Sequence, residues 1–282
     1  MILRDSRVPN GPLPLVISPS RPIVTWMLED DFTYVLKKAL RGQALSLEQV
    51  AGRSGLPGQR VALFSRGMFD PHTATALAEA LGLSPEAYAA HQDYHPDHLE
   101  LPAVQRLILP FNGDHVNAWL VSKGSQHVLF DTGNDPDSAA AELDLLKVEP
   151  SAVFLTHGHP DHISGMVAFS APKQGPLIDG AVHLEPGSHV TLDEITLRTV
   201  DLSGHFNPSL GYIIEGLARP VLVAGDAIFA GSIGGCDPDY YHDAILRIKA
   251  ALASLEDHTV ILPGHGPPTT VGEEKRGNPF LA

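Results

Sequence analysis

Two hydrophobic rhythms divide the chain. Between about 31 and 91, apolar residues recur at helical spacing in Ala- and Leu-rich segments. DFTYVLKKAL predicts a first helix. SLEQVAGRSG predicts a second, with Ser46 as N-cap and Gly55 permitting a tight turn. PGQRVALFSRG predicts a third, with Pro57 in its first turn. DPHTATALAEALG and SPEAYAAHQ complete a compact bundle of five short helices. Residues 1–27 are proline-rich and aperiodic, and read as an irregular leader.

From about 102 the rhythm shortens. VQRLILPF, HVNAWLVSK, HVLFDTG, SAVFLTHG, ITLRTVDL, LGYIIEG, PVLVAGD and HTVILPGHG are rich in Val, Ile and Leu, and each closes on a polar or turn residue or on a short apolar end. Between them DSAAAELDLLK, HISGMVAF and YYHDAILRIKAALASL read as helices. This mixture predicts an α/β protein whose sheets carry helices on their outer faces. The rhythm switches within HQDYHPDHLELP. The expected organisation is therefore a leader (1–27), a helical domain (28–95) and an α/β domain (96–282).

Composition adds little to the fold but narrows the partners. Hydrophobic residues make up 43% and charged residues 18%, ordinary for a globular chain. The single cysteine, Cys236, excludes an internal disulfide and reads as a small buried hydrophobe. No signal-peptide pattern and no apolar run of membrane-spanning length is expected, so a cytoplasmic protein is. The net charge is −14, and the 24 acidic and ten basic residues of 96–282 account for all of it. Such a field repels nucleic acid and anionic membranes. It also disfavours steering of an anionic substrate, unless a local basic pocket compensates.

The candidate chemistry is concentrated in THGHPDH at 156–162, where His157, His159, Asp161 and His162 crowd one loop after the apolar run SAVFL. Imidazole and carboxylate are ligands for zinc, iron or manganese. His157 and His159 can turn toward one centre, while Asp161 and His162, at the start of the next helix, can face a second. His205, Asp226 and His265 follow later strands beside glycine. Seven ligand-type residues at strand ends suggest a site built from several loops of one sheet edge.

THGHPDH, GH at 204–205, GD at 225–226, PGHG at 263–266 and DTG at 131–133 together resemble the metallo-β-lactamase superfamily over about 102–282. The resemblance implies an αββα sandwich; the small all-α domain that precedes it is helix-turn-helix-like by a separate resemblance. It implies that His157, His159 and His205 bind one metal, that Asp161, His162 and His265 bind a second, and that Asp226 bridges both. Asp131 would orient the metal loop. Two divalent ions are implied, zinc first, with iron or manganese as alternatives. The chain departs from the family at HFNPS, where HTPGS is frequent. The implied activity is hydrolysis by a metal-bridging hydroxide, with Asp131, Asp161 and Asp226 as catalytic carboxylates.

PGHGPPTTVGEEKRGNPFLA resembles the glyoxalase II branch, the hydroxyacylglutathione hydrolases. By that resemblance the substrate is a small-molecule thioester, Lys275 and Arg276 anchor its carboxylates, and Tyr241 lines its pocket. A lactone or ester hydrolase and a mononuclear iron persulfide dioxygenase share the family and remain alternatives. So does a DNA-binding regulator, because SLEQVA, Gly55, Val61, Phe64, Arg66-Gly67 and ALAEALGLSPEAY resemble a Cro/repressor-type helix-turn-helix. Its reading helix would offer Gln59 and Arg60 to bases, but Pro57, Gly58, Ala62 and Leu63 offer nothing, and residues 28–95 carry six basic against eight acidic residues. DNA is therefore not the expected partner. Packing, or a homodimer through the helical domain, is.

Overall fold

The computed structural model describes residues 27–282, so the expected leader lies outside the described residues except for Met27. Five helices come first: α1 (Phe32–Gly42), α2 (Leu47–Ser54), α3 (Gly58–Phe64), α4 (Pro71–Leu81) and α5 (Pro85–Ala89). Their starts are written in the sequence. Asp31 accepts from the amides of Thr33 and Tyr34, and Ser46 forms a capping box with Gln49. Asp70 and Ser84 cap α4 and α5, each ahead of a proline. Gly55 takes the left-handed conformation, φ 69°, that stops α2. Pro57 differs from expectation: its extended ψ of 132° puts it at the N-cap of α3 rather than inside it.

Six strands form the first sheet: β1 (Val104–Phe111), β2 (Asp114–Lys123), β3 (Gln126–Phe130), β4 (Ala152–Phe154), β5 (Lys173–Gly175) and β6 (Val182–His183), neighbours in that order. Helix α6 (Pro136–Leu146) connects β3 to β4, which run parallel. The expected HISGMVAF helix begins earlier and is shorter. It is α7 (Pro160–Ile163), continued by a 3-10 turn over 164–168. The second sheet holds β7 (His189–Leu192), β8 (Ile195–Asp201), β9 (Leu210–Glu215), β10 (Val221–Gly225), β13 (Val260–Pro263) and β14 (Thr269–Thr270), in the order β14-β13-β10-β9-β8-β7. Between β10 and β13 come a small hairpin, β11 (Ile228–Phe229) and β12 (Ser232–Ile233), and the long helix α8 (Pro238–Ala253). Helix α9 (Val271–Gly277) follows β14.

Strand alternation explains the layers. Trp119, Val121, Phe130 and Phe154 of the first sheet meet Leu197, Tyr212, Ile214, Val223 and Leu262 of the second in a core between the sheets. The opposite parity of the first sheet, including Ala118, Leu129 and Val153, packs on Ala139 and Leu143 of α6. The opposite parity of the second sheet, Ile213, Leu222 and Ile261, packs on Tyr241, Ile248 and Leu252 of α8. This is the α/β fold with mixed sheets expected from the pattern.

The apolar packing does not stop at the expected boundary near 95. Phe32, Val35, Leu36, Phe64, Leu77 and Tyr88 of the helical segment belong to the same buried cluster as α8 and the outer face of the second sheet. The Tyr88 hydroxyl donates to the Phe32 carbonyl at 2.7 Å, joining the two ends of the segment. Gly42, the last residue of α1, lies against the Tyr241 ring so closely that an added Cβ would sit 2.1 Å from Cδ2.

Gly42→Ala is therefore expected to push α1 away from α8 and to destabilise the whole protein by about 1–3 kcal/mol, the cost of overpacking a filled core. Equilibrium denaturation of the variant measures this. An unchanged midpoint would mean that α1 and α8 do not share a core.

Candidate metal centre

Seven of the expected site residues come together where strands of both sheets end. His157, His159, Asp161 and His162 follow β4, His205 follows β8, Asp226 follows β10 and His265 follows β13. Donor atoms of His157, His159, His205 and Asp226 lie within 4.8 Å of one another. Those of Asp161, His162 and His265 do the same. Asp226 lies between the groups: its Oδ2 is 3.5 Å from His205 Nε2, and its Oδ1 is 3.2 Å from His162 Nε2.

The histidines are aimed from behind. His162 Nδ1 lies 2.8 Å from Asp131 Oδ2, His205 Nδ1 2.9 Å from the Gly235 carbonyl, and His265 Nδ1 2.8 Å from the His115 carbonyl. In each ring this leaves Nε2 for the interior of the cluster. Asp131 also accepts from the Thr156 amide and hydroxyl, both at 2.8 Å, and so ties the metal-loop start to the end of β3. Thr156 Oγ1 is in turn 3.0 Å from His157 Nδ1.

The arrangement fits a cation-binding role on its own geometry. His159 Nδ1 faces His157 Nε2 at 3.0 Å and His205 Nε2 at 3.2 Å, so three ring nitrogens converge on one point. Among the described residues, His162 Nε2 and Asp226 Oδ1 are buried without a hydrogen-bond partner, because their 3.2 Å approach lacks hydrogen-bonding alignment. Buried polar atoms without partners are uncommon unless a ligand satisfies them. Electrostatics agree. Burial alone would raise the Asp226 carboxyl, yet the imidazoles of His162, His265 and His157 hold it well below the carboxylate range. Burial would lower His162, but Asp226 and Asp131 raise it well above its ordinary value. His157, dominated by burial and repelled by His162, is lowered instead. The groups hold net charge in a dry place only through one another.

A cavity of about 640 Å³ opens onto both groups. His159, Asp161, His205, Asp226 and His265 form its floor, and Phe111 and Phe229 its apolar sides. The remaining wall is α1 and the residues before it, including Tyr34, Lys37, Lys38 and Arg41. No sequence motif pointed to that wall, although 34, 37, 38 and 41 have the spacing of one helix face.

The expected substrate residues are placed elsewhere. Lys275 pairs with Asp257 at 3.0 Å, and neither it nor Arg276 lines the cavity, because α9 packs on β14 and α5. Tyr241 is 3% exposed and fills the space against Gly42. The buried charged side chain of GEEKR is that of Glu274, bound by Tyr94 at 2.6 Å, Asn278 at 2.7 Å and Thr269 at 2.8 Å. A positioning residue escaped the sequence reading. Asn117 of β2, 1% exposed, takes the Gly264 carbonyl with its amide at 2.7 Å and donates its side chain to the Pro263 carbonyl at 2.9 Å. Its signal was a polar residue inside the apolar strand HVNAWLVSK.

Gly264 has no room for a side chain, since an added Cβ would sit 2.1 Å from Asp226 Oδ1 and 2.7 Å from His162 Cε1. Gly264→Ala should keep its circular dichroism but bind less metal per chain than the unaltered protein. Undiminished metal content by elemental analysis would contradict this site.

The comparisons follow the same lines. Residues 111–198 match the sequence profile of the Metallo-beta-lactamase superfamily. The chain is 27% identical over 206 residues to the hydroxyacylglutathione hydrolase GloC of Haemophilus influenzae, covering 62% of this chain and 96% of that protein. It is 31% identical over 174 residues to an uncharacterized protein, ML0493, of Mycobacterium leprae, covering 49% and 79%. In structure it is similar to the BLEG-1 B3 metallo-beta-lactamase, with a TM-score of 0.52 at 26% identity over 64% of this chain and 99% of that one. The chain thus carries a metallo-beta-lactamase superfamily domain, whose matched residues include His157, His159, Asp161 and His162.

Proposed function

We propose that the protein is a dinuclear metal-dependent hydrolase that cleaves a hydroxyacyl thioester of the glutathione type. The observation that carries this reading is the meeting of two ligand-type groups at Asp226 on the floor of a cavity. His157, His159 and His205 would hold one ion, Asp161, His162 and His265 the other, and Asp226 both. Bound dications, zinc being the first choice for so imidazole-rich a set, supply an activated water near neutral pH and a Lewis acid for the carbonyl.

The chain's own residues do the rest. Asp131 fixes the His162 tautomer through Nδ1. Phe111 and Phe229 flank the reacting face and reduce its access to bulk water. The chain does not use a thiol nucleophile. Cys236 is buried, lies 3.4 Å from the Gly234 carbonyl, and has its thiol pushed up to about 11 by burial. A thioester suits such a site because a thiolate leaves without first taking a proton. The name of the Haemophilus relative points to the same substrate class.

The helical segment serves the catalytic region rather than DNA in this reading. Arg60, its candidate base reader, pairs at the surface with Asp70 at 2.5 Å and Thr73 at 2.7 Å, and the six basic and eight acidic residues of 28–95 give phosphates no basic face. Among the described residues no helix is long and apolar enough to cross a membrane. The proposed setting is cytoplasmic, with any self-association through the helical face.

Protein purified without chelator should carry two first-row metals per chain and turn over lactoylglutathione. Asp226→Ala should lose metal and at least about 100-fold in kcat/KM, the scale of removing a metal or its support. Full activity in that variant would end the dinuclear assignment. Rapid lactone opening with no thioester turnover would end the thioesterase reading.

DNA retention should be weak and collapse with added salt, as phosphate-dominated binding does. A sequence-selective complex that survives moderate salt would overturn the assignment of the helices.

A further inference from the structure

We propose that α1 is the substrate-recognition wall of the cavity, with Lys37 and Arg41 binding the carboxylates of an anionic acyl thioester; this deepens the hydrolase reading and rests on it.

Helix α1 has two faces with different work. Phe32, Val35, Leu36, Ala39 and Leu40 are buried and fasten it to the protein. Positions 34, 37, 38 and 41, spaced i, i+3, i+4 and i+7 along the other face, all line the cavity. The buried face already accounts for the helix's stability, so the fold does not require cations on the second face. General solubility does not explain them either, because the chain is strongly acidic and these charges face a cavity.

The three cations are not equivalent. Lys38 is committed: its ammonium bonds the buried Asp30 carboxylate and lies 4.6 Å from the Phe229 ring centroid. Among the described residues Lys37 is in no ion pair, and its ammonium rests 4.1 Å from the Tyr34 ring centroid. Arg41 pairs with Asp237 at 2.6 Å, but the two side chains are 63% and 61% exposed. An exposed pair is worth little, so a ligand carboxylate can replace Asp237 and be held bidentately. Lys37 and Arg41 are one helical turn apart, about 6 Å along the axis. That spacing suits a ligand with two carboxylates, or one carboxylate and an amide carbonyl.

Glu29 lines the same cavity and lies beside Gly266, next to His265. It repels an anion from that end, so the polarity of the cavity runs from Glu29 to α1. An asymmetric ligand is then oriented with its anionic part on α1 and its carbonyl over the cluster. A fixed wall is required for this, and the close seat of Gly42 on Tyr241 supplies it.

The test compares metal-loaded protein on lactoylglutathione and on the lactoyl thioester of N-acetylcysteamine, which keeps the acyl group and lacks carboxylates. The unaltered protein should prefer the anionic substrate in kcat/KM. Lys37→Ala and Arg41→Ala should each raise KM for it roughly ten-fold with kcat nearly intact, and leave the neutral substrate unchanged. Asp237→Asn discriminates further. If Arg41 and Asp237 are only a structural link, both variants raise KM; if Arg41 is an anchor, removing its competitor lowers KM. Equal preference for both thioesters, or Asp237→Asn moving with Arg41→Ala, would overturn the proposal. Should neither thioester be turned over, the hydrolase reading fails separately, and calorimetry with S-hexylglutathione against its dimethyl ester still decides. Binding lost on esterification and in Lys37→Ala supports the wall, and equal or absent binding rejects it.

Discussion

Holding several imidazole nitrogens and carboxylate oxygens face to face, away from water, is costly, and the rest of this molecule is arranged around doing so. Each such group needs either a proton or a cation in front of it and a fixed partner behind it. The partners behind come from separate places: Asp131 after β3, the His115 carbonyl on β2, and the Gly235 carbonyl after the hairpin. Asn117 and Trp119 of β2 both donate to the Pro263 carbonyl at 2.9 Å, so the first sheet holds the loop that carries His265 of the second. The two sheets are thus joined at their edge by polar bonds as well as through the apolar core between them, and the cluster inherits the rigidity of both.

Much of that was legible in the chain because it is local or periodic. THGHPDH puts four donors within seven residues, and the parity of strands such as VLVAG separates inner from outer faces without any tertiary knowledge. Helix caps are equally local, and Ser46 with Gln49 behaves as its spacing implies. What sequence could not supply is where a finished element is laid down. Lys275 is ten residues from His265, yet β14 and α9 intervene and carry it to Asp257. Arg41 is more than one hundred residues from any of the seven donors and still lines their cavity. Tyr241 failed as a pocket residue for a related reason. Nothing near it in the chain announced that a glycine from α1 would take its exposed face.

The helical segment changes meaning once its placement is known. Its pattern of caps, turn glycine and buried Val61 and Phe64 is what a small DNA-binding bundle also requires. Pattern reports how a segment packs, not what its outer surface meets. Here Arg60 bonds the start of α4 at the surface, and the outward charges of α1 meet a cavity. In the reading advanced for this protein, the acidic catalytic region receives its positive charge from a neighbour built largely by separate helices. That lets the metal cluster and the binding wall be varied independently in sequence.

The shared core of α1, α8 and the second sheet carries a consequence for any attempt to shorten the protein. Removing the helices would not release a minimal catalytic unit. It would uncover Tyr241, Ile248 and the other residues of α8 that now lie in one buried cluster with α1, and take away a side of the cavity in the same cut. Exposure of that apolar surface and loss of a cavity side would arrive together, and their effects could not be told apart in the truncated chain. Grafting offers the opposite route. Because the apolar face of α1 makes the attachment and the polar face makes the wall, the outer residues can be exchanged as a set while the anchor stays in place.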